Sequence, residues 1–228
     1  MLKKLVLLSV LLGTSIATHG AVLIYSDDFD SYTPGTEPTG WTRVDIFNNL
    51  DHANRGVTAN GDGTDGAVIP SYGGANYLNA GASTVYSRQV TASMEYFNFY
   101  ELSVYARNSG TTDNGLGRIY FTDALQSEVG GVLQETALLG QETAITGSDE
   151  WVLYKVGFRV GGSNAALVGQ PLFINLESNA NDAGFDNTLG FDEVRVERSV
   201  PEPGAAVMAL FGMILLGGFR KFRGAAIQ

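Results

Sequence analysis

The sequence contains no cysteine. That excludes a disulfide framework, a thiolate metal site and a cysteine nucleophile. Histidine is nearly absent as well. Of two, His19 falls in the N-terminal apolar region, which leaves His52 alone in the body of the chain. One histidine makes neither a catalytic triad nor a metal cluster. There is no P-loop and no nucleophile-elbow motif. Charged residues amount to 17%, below the usual quarter. Basic residues are scarcest in the middle: residues 22–199 hold nine Lys and Arg against 23 Asp and Glu, a net charge of −14. Such a body is repelled by nucleic acid and by anionic lipid and attracts cations. No nucleic-acid partner is expected.

What is abundant is glycine, with 29 residues, and aromatics, at 11% of 228 residues. This composition suits many short strands joined by turns and argues against a helical bundle or a disordered chain. The length allows one large domain or two small ones.

The two ends differ from the body. MLKKLVLLSVLLGTSIATHGAV places Lys3 and Lys4 before the apolar run Leu5–Leu12, followed by small residues. That is the layout of a secretory signal peptide over residues 1–21, with cleavage expected between Ala17 and Val22. At the other end, Gly204–Phe219 is uncharged, and its 16 residues span roughly 24 Å as a helix, slightly short of a bilayer core. The snorkelling stems of Arg220 and Lys221 extend that reach. Arg220, Lys221 and Arg223 form a stop-transfer cluster that stays cytoplasmic by the positive-inside rule. The expectation is a C-terminal transmembrane helix with the body outside the cytoplasm.

The ordered set Val200-Pro201-Glu202-Pro203, a short apolar helix and Arg220-Lys221-Phe222-Arg223 resembles the PEP-CTERM sorting signal of Gram-negative surface proteins. The resemblance covers residues 199–224. It implies export machinery and an exosortase-type membrane protease as partners. It also implies a transient inner-membrane anchor, and then delivery to the cell surface or extracellular matrix. The five residues after the basic cluster depart from the family, which often stops at its arginines.

Between the ends, residues 22–198 alternate with period two. Tyr100, Leu102, Val104 and Ala106 share one face, and Glu101, Ser103, Tyr105 and Arg107 the other. Val152, Tyr154, Val156, Phe158 and Val160 oppose Lys155 and Arg159; Leu172, Ile174 and Leu176 oppose Asn175 and Glu177; Ile119 and Phe121 lie together. Strands without intervening helical patterns predict an all-β, antiparallel β-sandwich. Val132–Ala144 reads as a strand pair or a short helix, and Glu197–Pro203 as a linker. The body is similar to jelly-roll, galactose-binding-like and carbohydrate-binding sandwiches. The likeness is carried by Asp28-Phe29-Asp30-Ser31-Tyr32, by Trp151-Val-Leu-Tyr-Lys-Val and by Gly190-Phe-Asp-Glu-Val-Arg-Val.

Asp192 shares parity with Val194 and Val196 and so faces the core, where a carboxylate needs backbone donors, an arginine or a cation. The resemblance implies a structural Ca²⁺ there, with Asp28 and Asp30 as further ligands and Asp27 also available. The segment Asn60–Gly66 lacks the first Asp and the closing Glu of a calcium loop and reads as a turn. Among 23 acids no pair stands out for glycoside hydrolysis. Trp41, Tyr72, Tyr77, Tyr86, Tyr105 and Trp151 are the aromatics available for sugar stacking. The expected role is a non-enzymatic surface or matrix component that requires no cofactor. The alternative is a carbohydrate-binding module for exopolysaccharide, and the third reading a glycoside hydrolase.

Overall fold

A computed structural model describes residues 20–45, 56–63, 68–81, 83–110, 115–129, 132–134, 136–179 and 188–199. Val22–Arg198 forms one compact unit. The signal segment, the Val200–Pro203 motif, the Gly204–Phe219 run and the basic cluster at Arg220, Lys221 and Arg223 lie outside the described residues. Within those residues no helix is long and apolar enough to cross a membrane.

The described residues form thirteen strands. They are β1 (Ala21–Asp27), β2 (Thr42–Asp45), β3 (Gly56–Ala59), β4 (Asn76–Ala80), β5 (Thr84–Thr91), β6 (Phe99–Asn108), β7 (Leu116–Thr122), β8 (Ser127–Val129), β9 (Val132–Gln134), β10 (Thr143–Thr146), β11 (Val152–Arg159), β12 (Leu172–Asn179) and β13 (Leu189–Ser199). One sheet orders β11-β6-β13-β4-β3, with β1 also paired to β13; the other orders β10-β7-β12-β5-β2. The registers of β11 on β6, and of β12 on both β5 and β7, are antiparallel. The chain is therefore all-β, with two antiparallel sheets packed as a sandwich.

Period-two alternation builds the core. Leu102, Val104 and Ala106 of β6, Val156 and Phe158 of β11, and Val194 and Val196 of β13 meet Ile119 and Phe121 of β7 and Leu172, Ile174 and Leu176 of β12. Burying each large aliphatic side chain is worth roughly 1.5–3 kcal/mol. Among its described residues the ambiguous Val132–Ala144 segment holds β9, a bridge of Leu138 to Thr122 and the start of β10, and no helix. The expected linker at Glu197 is instead the end of β13, which runs to Ser199. A 3₁₀ turn at Gly162–Leu167 lay in no predicted element.

Asn175 and Glu177 depart from simple alternation. Both face away from the inter-sheet core, yet they are buried together with Ser87, Tyr120 and Thr122. Ser87 donates to Asn175, whose amide donates to Thr122, and Glu177 accepts from Tyr120 Oη and Arg118 Nε. The middle of the second sheet is thus buried on both faces, and its outer face there is polar and paired.

Candidate functional site

The six aromatics separate into two groups according to where their polar atoms go. Trp41, Tyr77 and Tyr86 are buried. Trp41 Nε1 donates to Asp27 Oδ2 at 2.9 Å, Tyr77 Oη to the Asp62 carbonyl, and Tyr86 Oη to Glu37 Oε2 at 2.8 Å. These three are structural.

Tyr72, Tyr105 and Trp151 come together on the outer face of the first sheet. Tyr105 lies on β6 with the polar parity, and the Tyr72 ring stacks on it with centroids 3.6 Å apart and planes 16° from parallel. Trp151, just before β11, stands edge-on to Tyr72 at 6.5 Å and to buried Tyr77 at 5.8 Å. Its Nε1 donates to the Pro70 carbonyl at 2.8 Å, and the Arg107 guanidinium sits 5.8 Å from its ring centre. Tyr72 remains 46% exposed. Charged pairs border the rings: Lys155 with Glu101 at 2.7 Å, and Arg195 with Glu193 at 2.7 Å. Flat aromatic faces beside polar side chains are what a sugar ring requires, C–H groups on the ring and hydroxyls at the edge.

Two carboxylates hold the loop that carries Tyr72. Asp192 Oδ2 accepts from Tyr72 N at 2.9 Å and Gly73 N at 3.2 Å, while its Oδ1 accepts from Glu193 N at 2.8 Å. Asp30 Oδ1 accepts from Ala75 N at 2.6 Å and Asn76 N at 2.9 Å. The Asn76 amide donates back to the Tyr32 carbonyl at 3.0 Å. Gly74, between the two clamps, adopts φ +69°, a conformation open to glycine without strain. Glu193, after Asp192, is also left-handed at φ 50°.

Asp192 is fully buried, but not in the inter-sheet core that its parity with Val194 and Val196 predicts: Leu189 and Phe191 fill the core, left-handed Glu193 shifts the alternation before Val194, and Asp192 lies on the opposite face beneath the Tyr72 loop. Burial pushes its pKa up to about 7, against the pull of three backbone N–H groups. Its partners are these donors. Asp28 Oδ1 accepts from Asp30 N, closing a turn. Asp27 Oδ2 takes Tyr25 Oη, Tyr32 Oη and Trp41 Nε1, and its Oδ1 takes Phe29 N. Burial and then the Asp27 charge push Tyr32 up to about 12 and Tyr25 higher still. Among the described residues no group of three or more His, Cys, Asp or Glu side chains could hold a metal ion. The Ca²⁺ donor set expected of Asp28, Asp30 and Asp192 is therefore not assembled: their oxygens serve peptide N–H groups of the two loops.

No family model matches the chain, and no curated protein is significantly similar in sequence. Solved structures are similar in fold. A Stig cyclase from Fischerella sp. TAU aligns at 18% identity over 80% of this chain and 100% of its own, with a TM-score of 0.55. A second structure of a cyclase from Fischerella sp. TAU aligns at 19% identity, with the same coverage and a TM-score of 0.52. The CBM22-1 xylan-binding domain from Paenibacillus barcinonensis aligns at 18% identity over 81% of this chain and 98% of its own, with a TM-score of 0.46. At these identities the two cyclase structures show a shared sandwich fold and nothing about activity.

Proposed function

We propose that this chain is an exported, non-enzymatic protein whose sandwich binds polysaccharide through Tyr72, Tyr105 and Trp151. One observation carries the reading: three aromatics distant in sequence converge on a solvent-facing sheet surface bordered by two ion pairs. Aromatic rings on the outside of a sandwich contribute nothing to its core, and an aromatic platform rimmed by polar groups suits a carbohydrate. The two carboxylate clamps support it, because they fix the backbone beneath Tyr72 before any ligand arrives.

The sorting signature gives the setting. In this reading the N-terminal segment directs export, the basic cluster halts translocation, and an exosortase-type protease acts near Val200-Pro201-Glu202-Pro203. The body is then delivered to the surface or matrix, where exopolysaccharide is the ligand at hand. Two experiments test the parts separately. A polysaccharide array with the full chain is expected to show saturable binding that falls at least tenfold in Tyr72→Ala and Trp151→Ala. A blank array would leave a purely structural matrix component. The mass of the mature protein from membrane and released fractions is expected to lack roughly the first 20 residues and everything beyond the Pro-Glu-Pro region. Retention of Gly204–Gln228 would overturn the sorting reading alone.

A further inference from the structure

A cavity of about 400 Å³ opens beside the aromatic surface. Tyr25 and Tyr32 wall it, Ser26, Asp28 and Ser31 line it from the first strand and the loop that follows, and Arg88 enters from β5 of the opposite sheet. Glu193 and Arg195 of β13 also line it. That ion pair also borders the aromatic platform: the Glu193 carboxylate lies over Gly73, and Arg195 is within electrostatic reach of Tyr105. Because β6, β13 and β1 are successive neighbours in one sheet, the platform and the β1 wall are about 10 Å apart, two strand spacings.

We propose that this cavity is a second sugar subsite, joined to the platform across Glu193 and Arg195, and that the ligand is therefore a neutral polysaccharide chain rather than a short sugar. The proposal rests on the glycan-binding reading of the platform. The cavity's groups have the chemistry of a sugar site. The Arg88 guanidinium is spread over the Tyr25 ring at 5.4 Å and donates through one nitrogen to the Thr39 carbonyl at 2.8 Å. Among the described residues it meets no carboxylate, so its remaining N–H groups are available to ligand oxygens. Asp28 uses one carboxylate oxygen on Asp30 N, which leaves the other to accept from a hydroxyl. Asp27, by contrast, is saturated by four donors. It fixes both tyrosine hydroxyls and so sets the walls.

Charge selects the class. Asp27, Asp28 and Glu193 outnumber Arg88 and Arg195 in the cavity, and the body as a whole carries −14. A uronate or sulfated chain is repelled at both ranges, whereas neutral hydroxyls are served by the mixed donors and acceptors. Two joined subsites make the second contact intramolecular, so affinity should climb steeply once an oligosaccharide is long enough to reach both.

The test is calorimetric titration of the full chain with neutral oligosaccharides of increasing length and with uronate oligosaccharides of matched length. Ser26→Trp fills the cavity from its exposed rim, and Arg88→Gln removes the guanidinium without a charge of its own. Affinity of the unaltered chain is expected to rise at least tenfold between short and long neutral oligomers. Both variants are expected to lose that gain while still binding short oligomers at the platform. Tyr105→Ala is expected to weaken both lengths. A length gain that survives both cavity variants would overturn the second subsite and leave the platform standing. Tighter binding of the uronates would overturn the neutral assignment. No binding by any oligomer, with the variants folded as judged by thermal melts, would remove the platform reading and this one with it.

Discussion

Stability should depend on pH through Asp192. Its carboxyl is fully buried. Burial raises its pKa from 3.8 to about 7, with a smaller push from the Glu193 charge; the N–H groups of Gly73, Glu193 and Tyr72 oppose the rise. Unfolding returns it to an ordinary carboxyl. Between about pH 4 and pH 7 the folded chain holds a proton that the unfolded chain has lost, so stability falls as pH rises through that window. The contribution is fully present below about pH 4 and gone above about pH 7. The difference between 3.8 and about 7 converts to roughly 4 kcal/mol. That figure already counts the three N–H donors; the effective dielectric around buried charges is higher than that of a dry interior, which brings the expected share down to about 1–3 kcal/mol. Asp192→Asn abolishes the titration. The amide oxygen still accepts from Tyr72 and Gly73, while the amide nitrogen meets Glu193 N–H, an offset that does not vary with pH. Urea unfolding of both proteins, followed by tryptophan fluorescence from pH 4 to pH 8, gives the comparison. The wild-type chain should lose about 1–3 kcal/mol relative to the variant across the window. Parallel curves would refute the reasoning, since they would mean that Asp192 titrates alike in the folded and unfolded chains.

Gly74→Ala forces a side chain into φ +69° and drives its Cβ into the Asp30 carboxylate; a loss of about 2–4 kcal/mol is expected from left-handed strain and displacement of the Asp30 clamp, read as a lower melting temperature. Leu102→Ala empties a fully buried site between the sheets and should cost about 2–5 kcal/mol in denaturant unfolding. Trp41→Phe keeps an apolar ring but removes one of three donors on Asp27 Oδ2; a loss of about 1–2 kcal/mol is expected, with the melting temperature as the check.

The sandwich was legible wherever one face is apolar and the other polar. In β6 the sequence period alone separates Leu102, Val104 and Ala106 from Glu101, Ser103 and Tyr105, and the structure buries the first set. The same rule mislabels Asn175 and Glu177, because alternation reports two chemically different faces and not which of them meets water. A strand buried on both faces normally reads as a continuous apolar run. Here the outer face is buried with small polar groups and one carboxylate, each paired to a neighbour on the next strand. The clue was the size of those residues: Ser87, Thr122 and Asn175 are too short to reach solvent from a covered sheet. The short β2, β3 and β4 left no such trace, since four or five residues carry too few alternations to define a period.

The site was legible in its requirements and not in how they are met. Parity with Val194 and Val196 points Asp192 at the core, but left-handed Glu193 breaks the alternation and turns it to the opposite face; sequence shows neither that shift nor whether a buried carboxylate's partners are a cation, an arginine or peptide N–H groups. The partners prove to be Tyr72 and Gly73, some 120 residues away. A loop that turns through Gly73 and Gly74 presents its amides toward β13 and the turn after β1, two to Asp192 and two to Asp30. Four dipoles then do for these carboxylates what a bound ion would do, with one further result: the backbone they hold is the one that lays Tyr72 on Tyr105. The aromatics follow the same logic. Trp41, Tyr77 and Tyr86 are buried although Tyr77 and Tyr86 reach out to acceptors on exposed Asp62 and Glu37, whereas Trp151 finds its acceptor on the rim at Pro70, and its ring stays half-exposed beside Tyr72. Which aromatic becomes surface is decided by what packs over its ring, Trp151 over Tyr77 and the inter-sheet core around Tyr86, and that packing is a property of the fold.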